Sequence, residues 1–254
     1  ADTGRAVIAI RDQSAGDPDI LRVLPATVSR LRTMHVGDPQ RYVQDITGHA
    51  TAGDSLFEAY AAWISGGIGA AEAPATSDSL EHRWAVFRTE DPGAARAAIM
   101  KRCDAAGLDT TSYRGMRMTR LADENALEAL FGNAFRSFAR PIWTVLSDKV
   151  VMANTPADMR AAIDAWVDRN SLALDPRSGD FFRQFGSESV SGWWADVANA
   201  FPAESGVFSQ ALRGTGGCLI QFSPREDGAL VTTVCIQHAP STKRDAGAIW
   251  TAAM

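Results

Sequence analysis

A chain of 254 residues with 46% hydrophobic and 22% charged side chains is long enough to bury a substantial core, and its composition is that of a folded protein rather than a disordered one. The formal charge of -5 comes from 30 acids and 25 bases spread along the length, with no basic stripe to track a phosphate backbone, which argues against a nucleic-acid partner. No apolar run reaches the roughly eighteen residues that a membrane span needs, so no spanning helix is expected.

In chain order, "AVIAI" at 6–10 reads as a strand. Asp17 follows as a cap, Pro18 stands at a first helical position, and Ile20, Leu21, Val23 and Leu24 form an apolar set. "LFEAYAAWI" at 56–64 has a helical pattern, with Gly66 and Gly67 as its end and the turn after it, and 70–79 reads as a surface loop. A strand at 84–88 leads to Asp91 as cap, Pro92, and the inward stripe Ala95, Ala98, Ile99 and Cys103. Residues 113–121 alternate as a strand, and 122–138 forms the strongest helical pattern in the chain, with Leu127, Leu130, Phe131, Ala134, Phe135 and Phe138 on one side.

Strands at 142–146 and 149–153 are joined by Ser147-Asp148, a two-residue connection that makes a hairpin. Thr155 then caps a helix with Pro156 at its first position and Met159, Ala162, Ile163, Trp166 and Val167 on one face. A helix at 202–213 and a glycine-rich link precede two long strands, 218–223 and 229–238, around a turn. The sum is α+β, with largely antiparallel sheets and packed helices. Strand-cap-proline-helix joins at 17, 91 and 155 suggest duplicated strand-helix units, near 1–110 and 111–254, within one region. A device that recurs is expected to be structural rather than catalytic.

The four histidines, His35, His49, His82 and His238, lack the close spacing of metal pairs and read as surface or loop residues. Ser187, Ser189 and Ser191 form no nucleophile elbow. "SGGIGAAE" at 65–72 lacks the strand and third glycine of a dinucleotide loop. "RGTGG" at 213–217 reads as a link rather than an anion nest. The acid pairs Asp17 with Asp19, Asp123 with Glu124 and Glu226 with Asp227 read as caps and turns facing water. Cys103, Cys218 and Cys235 form no disulfide framework, and the turn before residue 229 sets Cys218 and Cys235 one position out of step, on opposite faces. No catalytic residue, metal ligand or cofactor is expected.

"SGWWADVANAF" at 191–201 stands apart. On a strand, Trp193 and Trp194 point to opposite faces, so one enters the core while the other meets a neighbouring layer, a partner or a ligand. Trp193, Trp194 and Trp250 are therefore the candidate interaction residues.

Several segments together resemble a family of large envelope-associated proteins of Bacteroidota. They are "LPATVSRL" at 24–31, "WAVFRTEDPGAA" at 84–95, "YRGMRMTRL" at 113–121, "LFGNAF" at 130–135, "LSDKVVMANTPADMRAAIDAW" at 146–166, "SLALD" at 171–175 and "LIQFSPREDGALVTTVCIQH" at 219–238. The resemblance implies a region followed by a second, repeat-containing β-rich region, and it carries over no catalytic residue. The end of the chain, "AGAIWTAAM", stops within an apolar pattern, so a fragment of a longer protein is expected. The expected role is a non-enzymatic structural or binding module of the cell envelope, periplasmic or anchored, whose partner is another protein or a further region of its own chain. The rivals are a hydrolase-like enzyme with Asp and His converging from distant loops, and a sugar- or peptide-binding domain using exposed tryptophans.

Overall fold

The structure, a computed structural model, describes residues 13, 15–17, 19–74, 82–184, 189–200, 215–225 and 229–238. After a 3-10 turn, Leu21–Val23, come β1 (Arg30–Val36), α1 (Pro39–Thr47), α2 (Ser55–Tyr60), β2 (Gly66–Ala73), β3 (His82–Arg88) and α3 (Pro92–Ala105). Then follow β4 (Thr110–Tyr113), β5 (Met116–Arg120), α4 (Ala126–Phe131), a second 3-10 turn (Asn133–Phe135), β6 (Ile142–Leu146), β7 (Lys149–Ala153) and α5 (Pro156–Val167). The remaining described elements are α6 (Pro176–Gln184), β8 (Ser191–Asp196), α7 (Val197–Ala200), β9 (Thr215–Pro224) and β10 (Leu230–His238).

All the described strands join one antiparallel sheet in the order β10-β9-β8-β1-β2-β3-β7-β6-β5-β4. Helices cover both faces of its middle, so the fold is α+β around a large antiparallel sheet. One face packs Phe87, Trp143, Val150 and Met152 against α1 to α4. The other packs Trp84, Val86, Val151 and Ala153 against the first 3-10 turn, α5 and α6. Side chains alternate across a strand, so β3 and β7 feed both cores. This is why "WAVF" and "VVMA" read as unbroken apolar runs.

Capping side chains and prolines start the helices that follow three of these strands. Asp38, Asp91 and Thr155 accept from the amides of Arg41, Ala94 and Asp158, and proline occupies the next position in each. Each such cap is worth about 1 kcal/mol. The third copy thus lies at Asp38 and not at Asp17. The Asp17 carboxylate accepts from the amide of Asp19, two residues on, at 2.8 Å, and Asp19 has φ 42°, so the chain makes only one 3-10 turn there. Ile20, Val23 and Leu24 are still buried, while 6–10 and Pro18 lie outside the described residues.

Other departures have local causes. The helical pattern at 122–138 is cut by Gly132 at φ 77° into α4 and a 3-10 turn, although Leu127, Leu130, Phe131, Phe135 and Phe138 are buried as expected. The strand expected at 113–121 stands over Met116–Arg120 as β5, while Arg114 and Gly115, both at positive φ, make the two-residue turn that joins it to β4. Gly66 and Gly67 open β2 rather than a turn, and the first four residues of the expected 70–79 loop belong to that strand. Glycine at 69 admits the Ile20 side chain: a Cβ there would stand 2.1 Å from Ile20 Cδ1. Val167 is 45% exposed at the end of its helix rather than on the inward face. The expected helix at 202–213 lies outside the described residues.

Candidate ligand cleft at the Trp193–Trp194 strand

Strand β8 lies between β1 and β9, pairing Trp194 with Leu31 on one side and Leu219 on the other, and Trp193 with Arg32 and Ile220. Successive side chains take opposite faces. Trp194 is 4% exposed and sits in the core beneath α6, its ring 5.3 Å from that of Phe182. Trp193 is half-buried on the other face. Gly217 on β9 leaves room for the Trp194 indole, since a Cβ there would lie 3.2 Å from Nε1.

A cleft opens on each side of this strand. The larger, about 850 Å³, has Leu31, Trp194 and Leu219 in its floor and Leu21, Trp166 and Phe182 in its walls. Its lining also includes Asp17, Asp19, Arg22 and Arg169. Asp19 is held by the Lys149 ammonium at 3.2 Å and faces the Arg22 guanidinium at 4.0 Å. Ser171 and Trp194 line the cleft as well, and their Oγ and Nε1 are buried without a hydrogen-bond partner among the described residues. The smaller cleft, about 450 Å³, is bounded by Arg32, Tyr42, Phe131 and Trp193. Burial there pushes the Tyr42 phenol up. Trp250 lies outside the described residues.

The structure brings one distant His and Asp together. His82 Nδ1 is 2.6 Å from Asp158 Oδ1, and the carboxylate is almost fully buried. The Trp84 indole donates to the Asp158 carbonyl at 2.7 Å, so this pair ties β3 to the first turn of α5. Nothing in the sequence marked it, because the partners stand 76 residues apart. His35, His82 and His238 fall on strands, and His49 lies in the exposed loop after α1. Among the described residues, no cluster of three His, Cys, Asp or Glu side chains is placed to hold a metal ion.

Asp123 departs from the water-facing turn expected of it. Arg102 donates to both its oxygens, at 2.8 and 2.5 Å, and the Tyr60 hydroxyl donates at 2.7 Å. The Arg102 hydrogen bonds hold the Asp123 carboxyl below its ordinary value. Cys218 faces Ile236 and Cys235 faces Leu219 in the ladder, which puts the thiols on opposite faces, and all three cysteines are free. Residues 215–217 of the expected glycine-rich link are already part of β9.

No family model and no curated protein matches the chain. Among solved structures it is similar to TP0453, a Treponema protein, in two crystal forms. Form III aligns with a TM-score of 0.46 and 13% identity over 89% of this chain and 82% of that one. Form I aligns with a TM-score of 0.44 and 11% identity over 92% and 83%. At such scores neither alignment bears on what the chain does. No helix among the described residues is long and apolar enough to cross a membrane.

Proposed function

We propose that this chain is a non-enzymatic binding module of the cell envelope, and that its larger cleft holds an elongated ligand with an apolar body and a hydrogen-bond-accepting end. The observation that carries the reading is the lining of that cleft. Its floor and walls are apolar and aromatic, and two arginines, Arg22 and Arg169, stand in the same lining. A guanidinium is always charged and only donates, so these side chains suit the accepting end of such a ligand while the aromatic walls suit its body. The volume is in the range of small-molecule sites. Sugar recognition by flat, exposed indoles has less support, because Trp194 is buried and Trp193 half-buried. The envelope setting rests on the sequence resemblance alone.

Titration calorimetry with dodecanoate, an apolar tetrapeptide and a linear hexasaccharide tests the proposal. Dodecanoate or the peptide is expected to bind one to one at micromolar concentration. Ala173→Phe, which places a ring in the cleft lining, is expected to weaken binding at least tenfold. Binding of the hexasaccharide alone, or binding unaffected by the substitution, overturns the reading.

A further inference from the structure

Among the described strands the sheet ends at two edges, and they differ in chemistry. The β4 edge is four residues long, carries Thr110, Thr111 and Ser112, and is flanked by Asp109 and Arg114. Short, polar and charge-flanked edges resist pairing with a further strand. The β10 edge is nine residues, Leu230–His238, without an Asp, Glu, Lys, Arg, Pro or Gly. Of the six exposed large apolar side chains among the described residues, four sit on it: Leu230, Val231, Val234 and Ile236, at 39, 40, 56 and 58% exposure. No described strand pairs with its outer side. An edge this long and apolar, with none of the usual protections among the described residues, is a template for another strand.

We infer that β10 is an interface at which a second copy of this chain adds its own β10, antiparallel about a two-fold axis at Thr233, to continue the sheet. Three observations favour self-pairing. The ladder with β9 is regular from Leu230 to Ile236 and breaks at a bulge after Ile236, so the straight part of the edge is seven residues with Thr233 at its middle. Centred there, Leu230 meets Ile236 and Thr232 meets Val234 on one face, while Val231 meets Cys235 on the other and Thr233 meets its own copy. Every exposed apolar side chain thus gains an apolar or threonine neighbour, the pairing that stabilises antiparallel sheets.

The charge balance agrees. A two-fold axis brings like against like, and a charged strand would repel itself; this one has no formal charge along the paired seven residues. Seven residues at about 3.4 Å form a ladder about 24 Å long. With side chains on both faces of the sheet, it hides roughly 500 Å² per copy, about 1,000 Å² in all, at the lower bound for a specific interface. The dimer is therefore expected to dissociate in the micromolar range.

Sedimentation velocity of the whole chain between about 1 and 100 µM, with hydrogen exchange read on the peptide spanning 229–238, tests this. The expected result is a reversible monomer–dimer equilibrium, with the 231–235 amides protected only at high concentration. Val234→Lys, at a side chain already more than half exposed, is expected to raise the dissociation constant at least tenfold while near-UV circular dichroism stays unchanged. A chain that stays monomeric throughout overturns the inference. So does protection that is independent of concentration, which would mean the chain covers the edge itself, or a dimer that survives Val234→Lys.

Discussion

Replacing Asp123 by Asn removes one charge from the junction of α2, α3 and the loop before α4 while leaving its shape. Arg102 and Tyr60 together place three hydrogen bonds on that carboxylate. A hydrogen bond to a charged group contributes about 1.5–3 kcal/mol, but the two partners of the ion pair are 32% and 27% exposed, so solvent screening lowers the coupling. The expected loss is about 1–2 kcal/mol, or about 3–6 °C in Tm for a domain of this size. The folded carboxyl lies below its ordinary value, chiefly through the Arg102 hydrogen bonds. Its contribution is therefore present above about pH 4, the unfolded value, and is lost as pH falls through the folded one. Urea denaturation of both proteins at pH 7, 5 and 3 reads the difference. A gap equal at pH 7 and 5 that narrows at pH 3 is expected; a gap that persists unchanged at pH 3 refutes the reasoning.

Three further outcomes follow from named contacts. Thr155→Ala removes a cap whose Oγ1 accepts from Asp158 N and should cost about 1 kcal/mol in urea denaturation, whereas Asp17→Ala, which removes no helix cap, should stay within about 0.5 kcal/mol. Gly69→Ala drives a methyl against buried Ile20 and to 3.0 Å from the Arg32 carbonyl, and should cost about 1–3 kcal/mol in the same measurement. Thiol labelling followed by mass spectrometry should find no Cys218–Cys235 bridge after mild air oxidation, and half-buried Cys218 should react faster than fully buried Cys103.

What was legible in the sequence was whatever a local rule fixes. The Ser147-Asp148 hairpin, the caps at Asp91 and Thr155, and the one-position offset of Cys218 and Cys235 all follow from a few adjacent residues, and each stands in the structure. Strand β2 escaped because "GGIGAAEA" has no strand propensity of its own. Gly69 in it makes room for the Ile20 side chain, a tertiary demand that overrides propensity. Asp17-Pro18 and Asp38-Pro39 are alike in sequence; only the fold separates them, since Asp38 caps a helix while Asp19 at φ 42° leads the chain into a 3-10 turn. The cleft was half legible: adjacent tryptophans on a strand must face opposite ways, but that Trp194 would border a cavity depends on Leu21, Trp166 and Phe182 arriving from far along the chain.

The central claim is that the cleft beside Trp194 is a binding site. Seven tryptophans give the chain as many indole NH signals, which a two-dimensional nitrogen–proton spectrum resolves during titration with dodecanoate or an apolar tetrapeptide. The signals of Trp166 and Trp194, which line the cleft, are predicted to move together and saturate at one equivalent. Those of Trp84 and Trp63, engaged with the Asp158 and Ala59 carbonyls, are predicted to stay. Shifts confined to Trp193, or no shift at any ligand concentration, would contradict the claim.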